Sequence, residues 1–141
     1  MAFTGGCQCG RVRYRAEAPR DRSSVCFCRM CQRASGQPFM AFVRFRRDQV
    51  SWTTPPETFA SSNLVERGFC RDCGAPLSYQ VIGGAYVSVT LMSLDDPSAV
   101  EPEFVFHPEA KAGWLDRMDR LVEEHMDFAG KPEMVSRQAE P

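Results

Sequence analysis

The sequence predicts a mainly β fold. Three observations carry this: several segments alternate polar and apolar residues with the two-residue period of a strand, a Gly83-Gly84 pair joins two of them, and proline and glycine punctuate the rest.

In chain order, residues 11–16 alternate as a half-buried strand does and stop before Pro19. Residues 40–45, Met-Ala-Phe-Val-Arg-Phe, follow Gly36 and Pro38 and form the next expected strand. A short strand over 50–52 ends before Pro55-Pro56. Residues 77–82 and 85–91 read as a hairpin, because paired glycines supply the positive φ that a two-residue turn needs. From 114 to 128 the apolar residues Trp114, Leu115, Met118, Leu121, Val122 and Met126 recur at helical spacing, which predicts a short C-terminal amphipathic helix. Residues 132–141 read as a polar tail, leaving 1–131 as a single domain.

Composition excludes several function classes. Lys and Arg total 17 against 18 Asp and Glu, so no bulk field is present to hold nucleic acid or an anionic membrane. The start, Met1-Ala-Phe-Thr-Gly-Gly, lacks an apolar signal core, and no stretch approaches the roughly 20 apolar residues that span a bilayer. Phosphate-loop and dinucleotide fingerprints are absent, as is the Gly-x-Ser-x-Gly of serine hydrolases.

The chemistry lies in 7 cysteines, gathered as Cys7-x-Cys9, Cys26-x-Cys28-x2-Cys31 and Cys70-x2-Cys73. An odd count cannot pair completely as disulfides, and such short spacings suit thiolates converging on one ion. Retained thiols point to a reducing, cytoplasmic location. Soft sulfur ligands select zinc or an iron-sulfur cluster, and zinc is the commoner occupant of short pairs. His107 and His125 stand apart from the clusters and read as surface or packing residues.

The thiols sort as four plus three. Cys70-x2-Cys73-Gly74 resembles half of a zinc ribbon, in which a tight turn presents two thiolates and the glycine adopts a conformation other residues resist. Cys7 and Cys9, two apart on an extended segment, point the same way and supply the other half. Four thiolates make a closed, structural zinc site worth on the order of 10 kcal/mol to folding. Cys26, Cys28 and Cys31 have no obvious fourth partner, so a zinc there keeps an open position, as catalytic sites do. A site already rich in negative charge suits a substrate thiol held as thiolate, which then adds to a carbon electrophile or leaves it. A fully structural role for all the thiols is the alternative.

The runs Gly6-Cys-Gln-Cys-Gly10, Cys26-Phe-Cys-Arg-Met-Cys-Gln-Arg-Ala-Ser-Gly36 and Arg67-Gly-Phe-Cys-Arg-Asp-Cys-Gly74 closely resemble the glutathione-dependent formaldehyde-activating enzyme family, which includes centromere protein V. The resemblance covers residues 3–115, with every cysteine in order and spacing. It implies a β-tent zinc-binding fold, a structural zinc on Cys7, Cys9, Cys70 and Cys73, and a catalytic zinc on Cys26, Cys28 and Cys31; with only three thiolates, the second ion is the one expected to be labile. The implied activity is that of a carbon-sulfur lyase run in the synthetic direction, joining formaldehyde to glutathione as S-hydroxymethylglutathione. Arg29 and Arg33 are candidates to grip the carboxylates of such a thiol, and Ser35 and Gly36 to line the same site.

Two departures bear on substrate. Relatives commonly carry histidine between the first two cysteines of the middle cluster, where this chain has Phe27; the change removes a titratable group. Lys111-Ala-Gly-Trp114 resembles a Lys-x-Pro-Trp of many members, with Gly113 in place of proline. Beside the enzyme stand two other readings: a non-catalytic zinc-binding interaction module and a redox-sensitive zinc-thiolate protein.

Overall fold

Strands alternate with tight turns throughout the computed structural model, which describes residues 1–140; Pro141, the last residue of the expected tail, lies outside the described residues. In chain order the elements are β1 (Ala2–Gly6), β2 (Arg13–Glu17), β3 (Arg22–Cys26), α1 (Arg29–Ser35), β4 (Met40–Arg46), β5 (Val50–Trp52), β6 (Glu57–Ala60), β7 (Val65–Phe69), β8 (Pro76–Val81), β9 (Tyr86–Thr90) and β10 (Phe104–Phe106). They form two open sheets, a 3-stranded one ordered β1-β2-β5 and a 7-stranded one ordered β10-β3-β4-β9-β8-β7-β6. Every pairing is antiparallel except that of β10 with β3. The mainly β class is the one the sequence predicts.

Strand β4 explains how the two halves meet. Its residues alternate sides. Val43 and Phe45, both 0% exposed, join Tyr14, Ala16, Val89 and Leu91 in the core between the sheets, with Phe3 against Phe45 at 5.5 Å. Met40 and Phe42 face the other way and pack around Cys31. A smaller apolar cluster of Val12 and Leu77 surrounds Cys7 and Cys70.

The expected strands over 40–45 and 50–52 appear as β4 and β5, and the first begins later than expected, as β2. The hairpin is present as β8 and β9, although Gly83 alone of the glycine pair takes a positive φ, 73°. The helix expected over 114–128 is corrected: Gly113–Arg120 forms 3-10 turns broken at Arg117, and no helix continues to Phe128. Trp114, Met118, Leu121, Val122 and Met126 are all exposed there. An amphipathic stripe stabilises a helix by being buried, and this one has no surface to bury against.

Helix α1 is short and stands at the centre of the site. Cys28 caps its start, and at its end Gly36, with φ 67°, donates its N–H to the Gln32 carbonyl. Among the described residues no helix is long and apolar enough to cross a membrane.

Candidate metal centres

The cysteines converge in space as four plus three. In each group the sulfurs lie within 4.8 Å of one another: Cys7, Cys9, Cys70 and Cys73 in one, Cys26, Cys28 and Cys31 in the other.

Two similar turns build the first group. After β1 the Gly10 N–H donates to the Cys7 carbonyl (3.1 Å), and after β7 the Gly74 N–H donates to the Cys70 carbonyl (2.8 Å). Gly10 and Gly74 have φ of 79° and 74°, the left-handed conformation that glycine adopts most freely. Sulfur separations of 3.6 Å for Cys7 and Cys9 and 3.8 Å for Cys9 and Cys70 suit donors around one ion. Burial pushes the Cys73 thiol up, but N–H groups of Ala75 and Cys9 outweigh it and bring the pKa to about 7. Asp72, inside the turn, is half exposed and pairs with Arg11 at 3.2 Å.

The second group is assembled by the end of β3 and the start of α1. Cys26 lies opposite Met40 in the β3–β4 register, Cys28 caps the helix, and Cys31 is buried one turn in. Burial pushes the Cys26 thiol up to about 12 and raises that of Cys31 against the pull of Arg67. Burial also acts against Cys28, yet the Cys31 N–H and the neighbouring thiols hold Cys28 below its ordinary value. Tyr79 and Phe42, with rings 5.7 Å apart, complete the apolar wall.

The donor chemistry of both groups fits a soft metal ion. Four sulfurs close the first, and the second offers three. Neither histidine joins them: His107 pairs with Glu109 at 3.0 Å, and exposed His125 lies 3.6 Å from Glu123.

Arg29, Arg33 and Gly36 share one flank of α1, where with Gln32, Pro38 and Trp114 they line a groove of about 480 Å³. Gln32 ties that flank to the C-terminal segment, its Nε2 donating to the carbonyls of Pro38 (3.1 Å) and Ala110 (3.2 Å). Ser35 lies on the other side of the helix; its hydroxyl donates to the Cys31 carbonyl (2.8 Å), and it borders a separate cavity of about 420 Å³. Phe27 is buried with its ring 5.5 Å from that of Phe39, so it packs beside the thiol cluster.

Arg67 escapes a reading from sequence. It lies within a cysteine-bearing run, but a charge in a short strand suggests solvent, and only the fold shows it 4% exposed with Nη2 at 3.4 Å from Cys31 Sγ.

Comparison with known proteins agrees with this arrangement. The profile of the family described as "Glutathione-dependent formaldehyde-activating enzyme" matches residues 2–109. A protein of Schizosaccharomyces pombe named an uncharacterized lyase is 32% identical over 82 residues, a match covering 58% of this chain and 60% of the relative's length. The crystal structure of a Rhodobacter sphaeroides protein shares the fold, with a TM-score of 0.54 and 19% identity over 72% of this chain and 98% of that one. With that match running from β1 through β10 and taking in both groups of thiols, the chain belongs to the glutathione-dependent formaldehyde-activating enzyme family.

Proposed function

We propose that the chain is a carbon-sulfur lyase-type enzyme that joins a small-molecule thiol of the glutathione class to an aldehyde such as formaldehyde, and cleaves the same adduct in reverse. The observation that carries the reading is the division of thiols into a closed group of four and an incomplete group of three. Family membership and the lyase name of the yeast relative support it. In the forward reaction a carbon-sulfur bond forms at the aldehyde carbon, the carbonyl π pair moves to oxygen, and the proton lost by the thiol ends on that oxygen. Zinc held by Cys26, Cys28 and Cys31 would lower the pKa of an incoming thiol so that it reacts as thiolate at neutral pH.

The chain's own residues supply orientation and a dry wall. Cys28, at the mouth of α1, adjoins Arg29, so a thiol placed beside it can extend carboxylates along the flank toward Arg29 and Arg33. Met40, Phe42 and Tyr79 keep water from one side of the sulfur cluster. Phe27, directed to Phe39, adds no titratable group of its own. Cys7, Cys9, Cys70 and Cys73 would hold the structural zinc.

Elemental analysis of fresh protein with calorimetric titration of glutathione tests the reading. About two zinc ions per chain, and glutathione binding lost in Cys28→Ser, is the expected result. About one ion with no glutathione binding after zinc is restored would overturn it. A second reading, an interaction module, draws on the exposed apolar edge strand Phe104, Val105 and Phe106. Recovery of one macromolecular partner, unaffected by Cys28→Ser, would favour that alternative.

A further inference from the structure

We infer that Arg67 is the positioning residue of the three-cysteine group, its buried guanidinium supplying the counter-charge to the thiolates and fixing the Cys31 sulfur. The inference rests on that group holding a metal ion, as proposed above.

Burial is the first argument. Arg67 is 4% exposed, and a buried positive charge is strongly destabilising unless an anion faces it. Among the described residues no carboxylate pairs with Arg67. Its partners are sulfur, hydroxyl and aromatic ring: Nη2 donates to Cys31 Sγ (3.4 Å), Nη1 to Met40 Sδ (3.4 Å) and Nε to Ser61 Oγ (3.0 Å), with Tyr79 5.0 Å beneath the guanidinium. Of that shell Cys31 is the candidate metal ligand, and its sulfur would be a thiolate once the group holds an ion.

Charge balance is the second argument. Three thiolates around a divalent cation leave one net negative charge, which a single guanidinium cancels. The same positive charge would favour a further anionic sulfur arriving at the ion. Geometry is the third: the fork cannot swing away, because its other donors are held by Ser61 and Met40, and β7 sets Arg67 opposite Tyr79. Arg67 thereby joins β7 to α1, although β8, β9 and β4 separate β7 from β3 in the sheet.

Metal binding to the full chain decides the matter. Zinc affinity is measured by competition with a chromophoric chelator, and cobalt(II) is loaded so that sulfur-to-metal charge-transfer bands can be read. The Cys28→Ser spectrum, subtracted from wild type, isolates the three-cysteine contribution. Arg67→Met is expected to weaken the second ion roughly 10- to 100-fold, leave the first unchanged, and move the isolated band to longer wavelength, because the sulfur lone pair loses its donor. Arg67→Lys, which keeps the charge without the fork, should recover part of the affinity but not the band position. Unchanged affinity and band position in Arg67→Met would overturn the inference. Should that variant fail to fold by circular dichroism, an unmoved band in Arg67→Lys overturns it instead. A wild-type chain with no cobalt at the three-cysteine group would sink both this inference and the reading beneath it, whereas a loaded group indifferent to Arg67 sinks this one alone.

Discussion

The Cys31 N–H donates to Cys28 Sγ across 3.4 Å, so Cys28 is at once a sulfur of the incomplete group and the N-cap of α1. Serine is a good helix cap but a poor soft-metal ligand. Cys28→Ser should therefore keep the helix and the fold while losing about one metal ion per chain and the activity on thiol and aldehyde. Cys73→Ser opens the closed group instead and should forfeit much of a contribution on the order of 10 kcal/mol, enough to unfold the chain. Elemental analysis and circular dichroism of the two variants check the contrast; equal loss of structure in both would point to a structural role for all the thiols.

Arg33 lies on the outer flank of α1 in the groove shared with Arg29 and Trp114. A bidentate contact with the carboxylate of the proposed thiol substrate from this position would be charge-assisted but open to solvent. Arg33→Ala should raise the half-saturating concentration of an anionic thiol about tenfold, on the scale of one hydrogen bond to a charged group, and reduce its salt sensitivity. Bound zinc should not change. Steady-state rates with glutathione at low and high salt, beside a thiol lacking carboxylates, would show it.

Gly5 sits in β1 where that strand meets the segment after β9. A Cβ there would run into the Ser93 carbonyl and the ring of Tyr14, whose hydroxyl pairs with Ser93 Oγ at 2.9 Å. Backbone cannot step aside as a flexible side chain can. Gly5→Ala should cost about 1–3 kcal/mol, read as a lower urea midpoint with little change in slope.

Acid should loosen the link between β3 and the segment entering β10. The Glu103 carboxylate accepts from Arg20 (2.6 and 3.2 Å) and from the N–H and hydroxyl of Ser23 (both 3.0 Å). Arg20, followed by the Ser23 donors, lowers its pKa from 4.5 to about 2. A lowered carboxyl pKa means stability that is complete above 4.5 and is lost as the pH falls toward 2. Glu103→Gln should flatten the decline of the urea midpoint through that window, and a decline of unchanged steepness would contradict the assignment.

Much of the site could be read before the fold because cysteine spacing is local: Cys7-x-Cys9 and Cys70-x2-Cys73 each form one turn, and the middle trio one turn and a helix cap. The hairpin β8–β9 was legible for the same reason. Strand β3 was not, because its buried side chains include Ser23 and Ser24, and Ser23 is satisfied by the carbonyl of Glu101 (2.6 Å) and by Glu103, far along the chain. Helix α1 has too few residues to show a period, and its cap is a cysteine. Arg67 was hidden because its partners come from other elements. The stripe from Trp114 to Met126 misled in the opposite sense: it has helical spacing without a surface to cover it.

The two groups differ in how far along the chain they reach. Cys9 and Cys70 meet across 61 positions, whereas the other trio lies within residues 26–31. On a ribosome, which delivers the chain from its N-terminus, Cys7, Cys9 and the trio emerge before Cys70 and Cys73. During that interval five thiols would be open to the same incoming ion, whereas the closed group of Cys7 and Cys9 would wait for its distant partners. If both groups take metal, an ion captured early by the wrong thiols would have to be surrendered before the closed group could form, so the timing of metal supply would matter as well as its amount.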